Sequence, residues 1–272
     1  MTDLDATRIA TFLDSFGSTI GRPVVVKNIT ESTNDDARQA GAAGAAHGAV
    51  FVADAQTRGR GRSGHSWHSP PGENLYLSVL LRPNIPPPAL APLTLVVGWC
   101  VARVVDFALG VPGKARIKWP NDVYVGEDKL AGILVETSLR GSSLAAVIVG
   151  VGLNVHTKVF PPELRATSLL KLGATNLDRS ELAARFLKEL GDAVRLFELQ
   201  RIGPFHAELE ARDMLRGRRL EIADVHGLGA GIDDAGFLRV TLADGDERRF
   251  GSGSVFFQKK PESPAGDPDA SE

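Results

Sequence analysis

Apolar side chains recur at Leu4, Ile9, Phe12, Leu13 and Phe16, a spacing that predicts a short amphipathic helix stopped by Gly17. The period then shortens. A strand is predicted over 23–29, a helix over 33–43 behind the capping candidates Ser32 and Thr33, and a short strand over 50–53. Residues 56–71 carry no hydrophobic period and read as a loop. Beyond it come a strand over 75–81, a proline connector, and the longest helix over 90–109. The β-rich runs 116–119, 123–125, 130–137 and 144–155, separated by turn residues, read as adjacent strands of one sheet. Helical spacing returns over 181–200. After Gly217 the pattern breaks into short strands at 219–223, 231–233, 237–242 and 247–250, which predict a small β-barrel of about fifty residues. The tail 261–272 is acidic with no apolar residue beyond alanine, and is expected to be disordered.

Composition narrows the class. A length of 272 residues suits one large domain with a small companion, and 43% hydrophobic residues exclude a disordered or fibrous chain. A formal net charge of -2 argues against a general polyanion binder, so any basic site must be local. The single cysteine, Cys100, excludes an internal disulfide and a Cys-based zinc site, and sits in an apolar run as a core thiol. Arg103 and Asp106 interrupt that run before it reaches the ~18 residues of a membrane span. The N-terminus lacks a secretory signal's basic start and apolar core, and the expectation is a soluble, cytoplasmic protein with no membrane association.

Three strings carry candidate chemistry. Gly59-Arg-Gly-Arg-Ser-Gly64 matches G-x-G-x-x-G, but His65-Ser-Trp-His-Ser-Pro-Pro follows it, so it cannot open the helix a dinucleotide fold requires. Kinase signatures are missing from the sequence. Exposed backbone N–H groups with Arg58, Arg60 and Arg62 suit an anion such as a triphosphate or acyl phosphate; a solvated flexible loop would share the composition. Trp67 in such a loop favours a planar ligand. In Lys118-Trp-Pro-Asn-Asp122, turn chemistry accounts for Asn121 and Asp122, but not for Lys118 and Lys129 at either end, nor for Gly132 inside an apolar strand. Gly150-Val-Gly-Leu-Asn-Val155 ends a buried run on one polar residue, Asn154. His65 and His68 have no carboxylate or cysteine at ligand spacing and read as solvated.

These strings, in this order with Glu31-Ser-Thr-Asn34, Lys129-Leu-Ala-Gly-Ile-Leu-Val-Glu136, Ala166-Thr-Ser-Leu169 and Gly231-Ile-Asp-Asp-Ala-Gly236, resemble the biotin protein ligases across nearly the whole chain. The resemblance implies an α+β fold: a mixed, mostly antiparallel sheet with flanking helices, similar to class II aminoacyl-tRNA synthetases, over 1–212, and an SH3-like domain over 213–260. It implies ATP-dependent biotinylation of a lysine on the carboxyl-carrier domain of acetyl-CoA carboxylase or a related enzyme, through biotinyl-AMP, with Mg²⁺, by a monomer or weak homodimer. It further implies that Ser32, Thr33, Asn34 and Gln56 line the biotin site. Gly59, Arg60, Arg62 and Trp67 would close over the ligand, with Gly132 and Ile133 as floor. Asn121 would belong to the ligand-binding set, Lys118 would help cancel the repulsion of the two anions, Lys129 would hold the carboxylate and then the phosphate, and Asp122 would act as base toward the incoming lysine. Asn154 would read the nucleotide. Ser63 and His65 depart from the family's further basic loop residues. Because Ser32-Thr-Asn34 comes so early, a ligase without a DNA-binding function is expected. A lipoate or octanoate ligase is the near alternative and a nucleic-acid-binding regulator the distant one.

Overall fold

Seven strands form one mixed sheet in the computed structural model, which describes residues 3–140 and 143–257. They are β1 (Val24–Thr30), β2 (Ala49–Gln56), β3 (Leu75–Leu81), β4 (Arg116–Lys118), β5 (Asp122–Val125), β6 (Asp128–Arg140) and β7 (Ser143–Leu153), laid in the order β1-β2-β3-β7-β6-β5-β4. The β1–β2 pair is parallel and the other neighbours are antiparallel. Side chains alternate across a strand, so the sheet has two faces with different cover. On the back, Val50, Val52, Leu77, Val79, Val149 and Val151 join the core beneath helices α1 (Ala6–Phe16), α3 (Leu93–Leu109) and α4 (Arg179–Gln200). On the front, Phe51, Leu80 and Ile148 pack against Ala37 of α2 (Thr33–Ala42), a smaller cluster that leaves the rest of that face open.

The helix ends follow local chemistry. The Asp5 carboxylate accepts from the Arg8 N–H and Gly17 closes α1 in the left-handed region; Asp178 accepts from the N–H groups of Ser180 and Glu181 at the start of α4. Helix α3 begins at Leu93 rather than residue 90, because Pro87–Leu90 forms a 3-10 turn and Pro92 takes the N-cap. By length and composition alone Pro87–Leu109 is apolar enough to cross a membrane, but Leu93, Val97, Cys100 and Val101 are fully buried in the core.

A second, antiparallel sheet comprises β8 (Arg219–Ile222), β9 (Val225–Ile232), β10 (Leu238–Thr241), β11 (Glu247–Phe250) and β12 (Val255–Phe257) in the order β11-β10-β9-β8-β12. Its apolar filling is Leu220, Ile222, Leu238, Val240 and Val255. Strand β9 is longer than the expected 231–233, since glycines at 227 and 229 mask its period. Strand β12 and the seven-residue helix α5 (His206–Arg212) were not predicted, both being too short for a period to show. The expected disordered tail 261–272 lies outside the described residues. The two sheets are tied at β4: the Met214 N–H donates to Ile117 O at 2.9 Å, and Trp119 Nε1 donates to Gly236 O at 3.0 Å.

One buried cation locks the end of the sheet nearest the Arg-Gly segment. Arg179, 1% exposed, pairs with Asp3 at 2.6 Å and Asp54 at 2.8 Å and donates to Asn74 O. The Asn74 amide donates to Tyr76 Oη, which donates to Pro70 O at the end of that segment. Burial pushes the Asp3 carboxyl up, but the Arg179 hydrogen bonds and charge outweigh it, leaving it below the usual value. Its stabilising share is therefore complete above about pH 4 and is lost as pH falls through the lowered folded value. Arg179→Met should cost about 2–4 kcal/mol at pH 7, at the lower side of buried-pair losses because both aspartates keep some solvent. The deficit should shrink at pH 3, and urea midpoints at the two pH values check both statements.

Candidate active site

Five strands contribute one continuous row on the open front face. Register pairs Lys118 with Asp122, Asp122 with Gly132, Gly132 with Gly152, and Gly152 with Tyr76; the next row pairs Leu134 with Gly150 and Gly150 with Ser78. The glycines hollow this surface. A Cβ on Gly150 would lie 2.1 Å from Asn34 Oδ1, and one on Gly152 would lie 2.3 Å from Trp67 Nε1. The resulting cavity measures 330 Å³, within the range of small-ligand sites.

Lys129 reaches this row through a bulge. It stands three residues before Gly132, so strict alternation would send it to the back. Register slips between Val123 and Tyr124, pairing Tyr124 with Lys129 and Val123 with Ala131, and the extra residue, Leu130, turns into the core. Lys129 Nζ consequently sits 2.7 Å from Asp122 Oδ1 and 5.2 Å from the centre of the Trp67 ring. Lys118 lines the same cavity. Burial pushes its ammonium down from the ordinary range, with Asp122 opposing and Lys129 adding to the shift.

The other end is lined by neutral polar side chains, with the Arg60 ion pairs at its rim. Gln56 Oε1 accepts from the Thr33 N–H at 2.9 Å, so β2 supplies the cap that Ser32 does not, and the Ser32 hydroxyl lines the cavity instead. Gln56 Nε2 donates to Ser69 Oγ at 3.0 Å. The Ser78 hydroxyl lies 2.8 Å from Thr33 Oγ1 and 2.6 Å from Asn34 Oδ1, and Asn34 Nδ2 donates to Glu136 Oε2 at 2.6 Å. These bonds fix which atoms of Thr33, Asn34 and Gln56 face inward.

The Arg-Gly segment folds as a narrow hairpin over this surface. Arg60 bridges to Ser66, the Gly61 N–H donates to His65 O at 2.7 Å, and the Trp67 N–H donates to O of the buried Gly59. Its tip, Ser63, takes a φ of 53°. The cations are unequally engaged. Arg58 pairs with Glu31 at 3.3 Å and Arg60 with Asp35 at 2.8 Å, whereas Arg62 donates to the amide oxygen of Asn121.

Thirteen residues singled out from sequence meet in this cavity: Ser32, Thr33, Asn34, Gln56, Arg60, Arg62, Trp67, Lys118, Asn121, Asp122, Lys129, Gly132 and, through its backbone, Ile133. Ile133 joins the floor by its backbone alone. Adjacent to Gly132, it points its side chain into the back core, and its N–H and C=O bond Asn121 at 2.9 and 3.0 Å. Gly59 lies at the base of the hairpin, bonded to the Trp67 N–H, and does not line the cavity. Asn154 does not line the cavity: it is buried at the end of β7, its N–H on Leu130 O and its side-chain amide on Thr167 O. It thus braces the bulge beside Lys129. Ser78, Ser69, Asp35 and Glu136 were missed, as was Phe256, which lines the cavity from β12. A serine inside Leu75–Leu81 was the available signal for the first.

Comparison with known proteins gives concordant matches. The model of the Biotin/lipoate A/B protein ligase family matches residues 26–154, and that of the Biotin protein ligase C terminal domain matches 218–258. The Mycobacterium tuberculosis biotin–[acetyl-CoA-carboxylase] ligase is 37% identical, over 77% of this chain and 79% of its own. The Escherichia coli bifunctional ligase/repressor BirA is 36% identical over 70% of this chain, which spans 61% of that protein's length. Among solved structures, the Aquifex aeolicus biotin protein ligase in complex with biotin and ATP superposes with a TM-score of 0.75 at 28% identity, over 88% of this chain and all of that one.

Proposed function

We propose that this chain, which belongs to the biotin protein ligase family, joins biotin to a lysine of a carboxyl-carrier domain such as that of acetyl-CoA carboxylase, at the expense of MgATP. A carboxylate does not acylate an amine at neutral pH, so it must first become a mixed anhydride. The biotin carboxylate attacks the α-phosphate, pyrophosphate leaves, and biotinyl-AMP remains; the carrier amine then attacks the carbonyl and AMP leaves. In the first step two anions approach, and Lys129, Lys118 and Arg62 are the side chains that offset their repulsion. In the second, Asp122 takes the proton of the incoming amine. Trp67 and the hairpin keep water from the anhydride. Asp122, the lining carboxylate among the described residues, would hold Mg²⁺ brought by the triphosphate, which would offset phosphate charge and take most of its ligands from phosphate and water.

The observation that carries the reading is the division of the cavity between a charged end, at Lys118, Asp122 and Lys129, and an uncharged polar end, at Ser32, Thr33, Asn34 and Gln56. A ureido ring offers two N–H donors and a carbonyl acceptor, and such groups match it; the dithiolane of lipoate offers no N–H or O–H donor. Asn154 belongs in this proposal as a brace near the nucleotide. We divide the chain at residues 1–212 and 213–260, the second part carrying β8 to β12. Nucleic acid is left out as a ligand: net charge is -2, and Arg58 and Arg60 are already paired with carboxylates. A buried Cys100 suits the cytoplasm.

Incubation with biotin, MgATP and an isolated carrier domain should add one biotinyl group per carrier, read by intact mass, with no addition when lipoate replaces biotin. An unmodified carrier with biotin, or modification by lipoate alone, overturns the reading.

A further inference from the structure

Lys118 reaches the cavity wall between two aromatic rings that come from different sheets. Its Nζ lies 5.9 Å from the Tyr124 ring centre in β5 and 5.5 Å from the Phe257 ring centre in β12. The two rings meet edge to face, with centroids 6.4 Å apart and planes at 79°. Phe257 also carries the Arg218 guanidinium at 5.1 Å, and Arg218 is itself held by Glu127 at 2.8 Å. The nearest acid on the row, Asp122, is engaged by Lys129. Strand β4 is three residues long and lies at the sheet edge. Aromatic faces attract an ammonium through the ring quadrupole, and more strongly once it is desolvated.

We propose that Phe257 is a positioning residue: with Tyr124 it clamps the Lys118 ammonium at the cavity wall, so that a strand of the second sheet sets where this cation meets the phosphates of ATP. The inference rests on the ligase reading above. It gives β12 a defined part in the site, since the adjacent Phe256 lines the cavity directly while Phe257 acts through Lys118.

The test uses the full chain and biotin-dependent exchange of labelled pyrophosphate into ATP, with F257L, F257W, K118M and the F257L/K118M pair. F257L should raise the KM for ATP about 3–10-fold with kcat within twofold, because leucine keeps the apolar contact and lacks the quadrupole. F257W should return KM to within twofold of the parent. In the K118M background F257L should change nothing further, a result that a packing role would not give. Should F257L fail to fold, F257M takes its place in the same cycle. An unchanged KM in F257L, no rescue by tryptophan, or an equal loss with and without Lys118 overturns the clamp. A parent enzyme without biotin-dependent exchange overturns the ligase reading instead, and the inference with it.

Discussion

Lys129→Ala is expected to slow biotinyl-adenylate formation by about 10²–10³-fold while the protein remains folded, the size of loss typical when one preorganised charge or donor leaves a transition state. Lys129 occupies its place through the bulge at Leu130 and is half-buried at the surface of the row, so its side chain adds little to packing. Electrostatics is another matter. Its Nζ lies 2.7 Å from Asp122, and truncation leaves that carboxylate facing two incoming anions. At an effective dielectric of about 20, like charges 4 Å apart repel by about 4 kcal/mol, so the variant loses an attraction and gains a repulsion. Neighbouring cations compensate poorly, since Arg60 is paired with Asp35 and Lys118 and Arg62 already serve the same step in the parent. Adding Asp122→Asn to Lys129→Ala should therefore recover part of the adenylation rate. Biotin-dependent pyrophosphate exchange measures both, with circular dichroism and thermal unfolding as controls. A rate within a few-fold of the parent would remove Lys129 from the first step.

That same lysine shows where reading a sequence stops. Its charge, its neighbours and the glycine three residues later were legible as chemistry, but alternation alone sends Lys129 and Gly132 to opposite faces. The register slip that unites them depends on pairing with β5, a non-local event. Ile133 reaches the floor by its backbone alone for the converse reason: being next to Gly132 in the chain places its side chain on the other face of the sheet. Strand β3 was legible to its ends, because Leu75–Leu81 is bounded by polar residues and a proline connector. Strand β12 is three residues long and offered no period, although it brings Phe256 to the cavity and Phe257 to Lys118. The Arg-Gly segment was legible as an anion loop from composition. Its pairing of Arg58 and Arg60 with acids on β1's end and α2 was not, because those partners lie about 25 residues away in the chain.

Gly152→Val is expected to weaken biotin binding by about 100-fold or more without unfolding the chain. Trp67 lies flat on a floor that exists only because β6 and β7 present glycines there. A Cβ at 152 would come 2.3 Å from the indole Nε1 and 2.4 Å from Cε2, and one at 132 would come 2.8 Å from Cζ3. A fused two-ring system has no flexible end to yield, so valine must drive the indole off the sheet. Trp67 Nε1 is buried with no hydrogen-bond partner among the described residues, so lifting breaks no hydrogen bond there and returns its N–H to water. The hairpin is thereby biased toward an open state that cannot cover a ligand, and a ligand must restore closure from its own binding energy. Strand stability moves the other way, because valine in a sheet loses less backbone freedom than glycine and favours extended geometry. Thermal unfolding should stay within a few degrees of the parent. Biotin titration calorimetry reads the affinity, and a red shift of tryptophan emission relative to the parent reads the displaced indole. Biotin affinity within threefold of the parent, with unaltered emission, would mean that Trp67 does not rest on Gly152 in solution and that the glycine floor is not what shapes the site.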